Sequence, residues 1–153
     1  MSGMSRFIED NVKNPGGVPL PRAYMKAVTF MAIADELSGL STCSRQQVGA
    51  IIVKDGRCIS WGYNGAPPGM THCVHEDDSP CETATHAEAN AIAAAARQGI
   101  STDGAHLYVT VSPCATCSRL LIAAGIVGVT YKTAYRDRTG VEILQQAGVK
   151  VVD

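Results

Sequence analysis

Residues 48–65, VGAIIVKDGRCISWGYNG, decide the fold. Two short apolar, β-branched runs flank Lys54-Asp55-Gly56-Arg57, and Asp-Gly between such runs signals an antiparallel hairpin with a two-residue turn. Upstream, Tyr24, Ala27, Val28, Met31, Ala32 and Leu37 recur at spacings of three and four, which predicts an amphipathic helix over 22–40 stopped near Gly39. Downstream, residues 65–85, GAPPGMTHCVHEDDSPCETAT, have no period and are rich in Gly, Pro, Asp and Cys, so they form a long loop of the kind that is functional or held by something. Beyond it the patterns alternate. HAEANAIAAAARQG (86–99), CATCSRLLIAAG (114–125) and TGVEILQQAG (139–148) read as helices ended by glycine, while AHLYVTV (105–111), IVGVTYKT (126–133) and VKVV (149–152) read as strands. An opening hairpin followed by this alternation predicts an α/β fold, a three-layer α/β/α arrangement around a mixed sheet of about five strands.

A chain of 153 residues supports one core of ordinary size, so residues 1–153 form a single domain, with 1–20 a Gly- and Pro-containing N-terminal arm. No apolar run is long enough to span a bilayer, and the first 20 residues, MSGMSRFIEDNVKNPGGVPL, carry no export signal. The expected location is a cytoplasm, with no membrane partner. A net charge of -1 gives no global attraction for a polyanion, which favours a small substrate over long nucleic acid. Six cysteines with four histidines, in a chain with an ample apolar core, favour metal or thiol chemistry over a disulfide frame.

Two stretches carry that chemistry. Cys114 and Cys117 stand three apart on a predicted helix, so one metal can take both thiolates near the helix N-terminus. His86 heads the preceding helix. Both helices follow segments lying on the sheet, so their starts converge and bring one imidazole and two thiolates together, leaving zinc's fourth position for water. Glu88 lies two residues beyond His86, roughly 200 degrees round a regular helix, so the two converge only around a helix start. There Glu88 is a general acid/base beside the metal rather than a ligand. Taken alone, C-x-x-C is equally a redox or structural motif, and a lone His or Glu at a helix start is a cap or a solvated side chain. Taken together, H-x-E followed by P-C-x-x-C is the signature of zinc-dependent nucleobase deaminases.

The order STCSRQQVGAIIV (41–53), GYNG (62–65), HAEANAI (86–92), LYVTVSPCATC (107–117) and AAGIVGVTY (123–131) resembles the deoxycytidylate (dCMP) deaminase family of the cytidine deaminase superfamily, over about residues 22–152. The resemblance implies the cytidine-deaminase-like fold and zinc-dependent hydrolytic deamination of dCMP to dUMP and ammonia, supplying the dTTP precursor. It implies a catalytic zinc on His86, Cys114 and Cys117 with Glu88 as proton shuttle. Asn64 resembles the asparagine that hydrogen-bonds the sugar, against a turn residue ending the second strand. Backbone groups of Ala87 and Ser112 would hold the pyrimidine edge, Tyr135 would pack on the base or sit at the rim, and Arg45 and Arg136 are the phosphate candidates, or else solvated arginines. The resemblance also implies a homohexamer, with dCTP activation and dTTP inhibition at subunit interfaces near GYNG.

The other cysteines divide. Cys58, inside the second strand of the hairpin, reads as a buried small apolar residue. Cys43, Cys73 and Cys81 fall before the first strand and in the long loop, and some family members carry a second, structural zinc there. A closed site of Cys43, Cys73, His75 and Cys81 would order a loop with little apolar content, with His72 the competing histidine. The competing functions are deamination of dCTP, a 5-substituted dCMP or another cytosine nucleoside or nucleotide, a noncatalytic nucleotide-binding module, and a thiol oxidoreductase. Intact Glu88 argues against the module, which needs no proton shuttle.

Overall fold

The computed structural model describes residues 21–153; the expected arm at 1–20 lies outside them. The elements run α1 (Arg22–Ser38), β1 (Gly49–Lys54), β2 (Arg57–Tyr63), α2 (Ala87–Arg97), β3 (His106–Val111), α3 (Ala115–Ala123), β4 (Gly128–Thr133), α4 (Thr139–Gln146) and β5 (Lys150–Val152). The strands form one sheet in the order β2-β1-β3-β4-β5. β1 is antiparallel to both β2 and β3, while β3, β4 and β5 are parallel, so the sheet is mixed as the hairpin-then-alternation pattern predicts. Asp55 and Gly56 both take positive φ, which is what the tight turn of a two-residue hairpin demands.

Side chains alternate across each strand, and the two faces bury different partners. Ala50, Ile52, Leu107, Val109 and Val129 face a core completed by Ala87, Ala91, Leu121, Val141 and Leu144 of α2, α3 and α4. Ile51, Val53 and Tyr108 turn the other way, onto Phe30, Met31, Ala34 and Leu37 of α1. The result is the three-layer α/β/α arrangement, with one helix on one face and three on the other. No helix among the described residues is long and apolar enough to cross a membrane.

Two local expectations are corrected. Cys58 is exposed, not buried, because β2 is the edge strand and Cys58 stands next to the turn, where sheet and helices give little cover. Cys114 is not inside a helix with Cys117. It is the N-cap of α3, at φ -71 and ψ 169, and its Sγ accepts the Cys117 N–H at 3.5 Å. The thiol does the work of a capping oxygen, which leaves Cys117 as the third helical residue with its side chain turned back toward the same point.

Candidate metal and active site

The starts of α2 and α3 meet at one end of the sheet, and close backbone packing sets them there. A Cβ on Gly62 of β2 would come within 2.5 Å of the Ala87 carbonyl and 2.6 Å of the Ala91 nitrogen, so only glycine lets the first turns of α2 lie directly on the strand. Asn90 fixes the same turn by donating to the Tyr63 carbonyl at 2.8 Å. Gly140, at the start of α4, likewise packs onto the backbone of Pro113 and Cys114, where any side chain would collide. The 65–85 loop is closed at its ends by paired backbone bonds between Gly65 and Thr85, at 2.9 and 3.1 Å.

His86 is the N-cap of α2 in extended backbone, not a helical residue. That removes the angular conflict with Glu88: the imidazole swings outside the helix while the carboxyl points in from its first turn. His86 Nδ1 lies 3.5 Å from Cys117 Sγ and 3.6 Å from Cys114 Sγ, with all three donor atoms within 4.8 Å of one another. A tetrahedral zinc with Zn–S near 2.3 Å and Zn–N near 2.0 Å requires S···N edges of about 3.5 Å. The donor set therefore fits zinc in type and in spacing.

The electrostatics point the same way. Hydrogen bonds from Cys117 and His86 pull the Cys114 thiol down to about 3, while the Cys114 anion and burial push Cys117 strongly up. Two sulfurs this close share one proton unless a cation stands between them. The hydrogen bond to Cys114 raises His86 against its own burial. Glu88 is 4% exposed, and burial pushes its carboxyl above the usual range, opposed by its own backbone N–H and by His86. A carboxyl whose charged form is disfavoured by burial gives and takes a proton more readily than a solvated one, which suits proton transfer.

His86, Glu88 and Cys114 open onto a cavity of about 140 Å³, which Asn64, Ala87, Ser112, Tyr135 and Arg45 also line. Asn64 is buried; its Oδ1 accepts from Val48 N–H at 2.8 Å and its Nδ2 donates to the Gln46 carbonyl at 2.7 Å, leaving the second amide hydrogen for a ligand. Ser112 spends its N–H on the Thr133 carbonyl and its Oγ accepts the Tyr135 N–H, which leaves its carbonyl and its hydroxyl hydrogen for a ligand. Ala87, first residue of α2, has one of the N–H groups that a helix start leaves unpaired. Arg45 and Arg136 both stand near Tyr135: the Arg136 guanidinium lies 5.9 Å from the Tyr135 ring centre, and Arg45 lines the same cavity as Tyr135. Both arginines line a groove of about 290 Å³ that shares Arg45 and Tyr135 with the cavity.

The second cysteine cluster assembles beside the first. Donor atoms of Cys43, Cys73, His75 and Cys81 lie within 4.8 Å of one another, with Cys43 Sγ 3.6 Å from His75 Nε2, again the edge of a tetrahedral zinc site. His72 is exposed and outside the cluster. Cys43 and Cys81 also line the cavity, so the two clusters share a wall. Sequence reasoning missed Gly62, Gly140, Ser44 and Asp78. The glycines announce themselves only through what they touch; Asp78 was legible as one acidic residue among several on the metal loop, without its partner.

Residues 25–133 match the model of the cytidine and deoxycytidylate deaminase zinc-binding region. The chain is 44% identical to the ComE operon protein 2 of Bacillus subtilis over 127 residues, 80% of this chain and 67% of that protein. It is 33% identical to the deoxycytidylate deaminase of Enterobacteria phage T4, over 83% of this chain and 89% of the phage protein. Among solved structures, the dCMP deaminase of cyanophage S-TIM5 in complex with dCMP and dUMP superimposes with a TM-score of 0.78 at 38% identity, covering 87% of this chain and 98% of that one.

Proposed function

Since this chain belongs to the cytidine and deoxycytidylate deaminase zinc-binding family, we propose that it hydrolyses dCMP to dUMP and ammonia in the supply of pyrimidine deoxynucleotides. The observation that carries the reading is a zinc-spaced His86, Cys114 and Cys117 with the buried Glu88 carboxyl on the adjoining helical turn. Zinc held by those three residues would supply the Lewis acidity that makes water a nucleophile at neutral pH. The remaining work falls to the chain's own groups. Glu88 accepts a proton from the attacking water and gives it to N3 of cytosine, which makes C4 electrophilic. The water oxygen adds to C4, Glu88 carries its remaining proton to the exocyclic amine, and the C4–N bond breaks to release ammonia and leave the C4 carbonyl.

Around that centre, the free N–H of Ala87 and the carbonyl of Ser112 suit the pyrimidine edge, and the spare Asn64 amide hydrogen suits a sugar hydroxyl. Tyr135 walls the base. The groove between Arg45 and Arg136 has the charge and position for a 5′-phosphate. A second zinc on Cys43, Cys73, His75 and Cys81 would have a structural role, since all four positions are filled by protein. Assembly as a homohexamer with dCTP and dTTP as effectors is proposed on family resemblance; a cavity of about 440 Å³ at the β2 edge, lined by Trp61, Gly62, Tyr63 and Gly65, is its candidate effector site.

The test is ammonia release from a panel of cytidine, deoxycytidine, CMP, dCMP and dCTP. The reading requires dCMP to have the highest kcat/KM, far above deoxycytidine, because the nucleoside lacks the charge-assisted phosphate bonds. Equal turnover of dCMP and deoxycytidine would refute it, and dCTP in first place would move the assignment to the triphosphate.

A further inference from the structure

Three consecutive residues, Cys43, Ser44 and Arg45, each reach the loop that follows β2. Cys43 Sγ lies 3.6 Å from His75 Nε2, and Ser44 Oγ accepts the His75 N–H at 3.0 Å. Arg45 Nε donates to Asp78 twice, at 3.1 Å to Oδ1 and 3.2 Å to the carbonyl. Asp78 sits between His75 and Cys81 of the second cluster, so the segment that would hold that metal also carries the partner of Arg45. The Arg45 side chain is 14% exposed and the Asp78 side chain 81%, and a pair so open on one side adds little to stability. Its effect is on direction. Guanidinium is a rigid fork of five donors, and committing Nε to Asp78 fixes the plane while leaving the four Nη hydrogens free to serve a ligand.

We propose that Asp78 is a positioning residue for substrate phosphate: it locks the Arg45 guanidinium where the catalytic cavity meets the Arg45–Arg136 groove. The phosphate then meets an arginine already ordered, and the ordering cost of a long side chain is removed from binding. The inference rests on the phosphate reading of Arg45 given above. Asp78 also lines that groove, but its contacts with Arg45 are to Nε alone, so the Nη edge stays available to the phosphate.

Steady-state kinetics on dCMP and deoxycytidine, with the parent, Asp78→Ala, Asp78→Asn, Arg45→Ala and the Arg45→Ala/Asp78→Ala double variant, test it. Asp78→Ala should raise KM for dCMP about twofold to fivefold with kcat little changed, and leave KM for deoxycytidine where it was. Asp78→Asn should restore most of the loss, since an amide oxygen still accepts from Nε. In the Arg45→Ala background, Asp78→Ala should add nothing. An unchanged or lower KM for dCMP in Asp78→Ala, an equal rise for deoxycytidine, or a full effect surviving without Arg45 would each overturn the positioning role. If Arg45→Ala alone leaves the preference for dCMP over deoxycytidine intact, the phosphate reading of Arg45 fails first, and the role of Asp78 with it.

Discussion

The carbonyl of Ala87 rests directly on Gly62: a Cβ at Gly62 would stand 2.5 Å from that oxygen. Glu88 is the next residue, so the edge strand sets the depth of the carboxyl. Gly62→Ala should force the start of α2 away from the sheet. The expected cost is about 1–3 kcal/mol, as for overpacking elsewhere. Turnover should fall as well, since Glu88 rides on the displaced turn. Denaturant midpoints and kcat measured on one preparation check this, and a variant with both values unchanged would show that the helix start yields without moving its carboxyl.

Glu88→Gln keeps the shape of the buried side chain and its hydrogen-bonding capacity but carries no transferable proton. The three zinc donors are untouched, so metal content should stay at the parent value. Turnover should fall by about 10²–10⁴, the range that general acid/base groups contribute. Retention of more than about a tenth of the activity would assign the proton transfers elsewhere.

The elements were legible because their signals are local. Asp55-Gly56 can take positive φ at two successive residues, and the three Ala-, Leu- and Ile-bearing helices carry a 3.6 period with glycine after each. The donors of the first cluster were legible from two short motifs. Less legible was anything set by which strand is outermost: Cys58 has the sequence surroundings of a core residue, and only the order β2-β1-β3-β4-β5 exposes it. The capping role of Cys114 was hidden because a sulfur in place of a capping oxygen leaves the C-x-x-C spacing unchanged. The Arg45–Asp78 pair joins residues 33 apart, and nothing in either flank chooses that partner over Asp77 or Glu76.

His106 supplies a pH test away from the metal clusters. It stands on β3 against Gly128, with Nε2 2.8 Å from Thr130 Oγ1 and its ring 4.8 Å from that of Tyr108. Burial, reinforced by the Lys150 charge, holds it below the ordinary histidine value. The unfolded chain therefore takes up the proton more readily than the folded one. The stability owed to neutral His106 is complete above the unfolded value of about 6.5 and is lost as pH falls through it toward the folded value. Thermal melts at pH 7.5 and 5 should show a larger loss for the parent than for His106→Gln, whose amide still reaches Thr130 and does not titrate. Equal losses would place the acid sensitivity in other groups.

The second cluster makes the sharpest demand. Burial, together with neighbouring Cys81 and Cys43, pushes the Cys73 thiol up to about 11, whereas Cys43, despite its own burial, is drawn down to about 7 by the backbone N–H groups of Gln46 and Arg45 and by Cys73 and His75. Thiols gathered this closely repel one another once ionised, and a cation among them removes that repulsion. A divalent ion on Cys43, Cys73, His75 and Cys81 resolves the conflict and ties a polar, proline-interrupted loop to the segment before β1. Protein purified without chelator should therefore hold two zinc ions per chain. Cys73→Ser should hold one, with the site of His86, Cys114 and Cys117 still loaded. Because metal bound only by the folded chain stabilises it, the variant should melt earlier and lose stability more than intrinsic turnover. A reproducible single zinc in the parent, with Cys43, Cys73 and Cys81 all open to alkylation in the native protein, would show that the four side chains gather without a metal and that hydrogen bonds alone, such as His75 N–H to Ser44 Oγ, hold the loop.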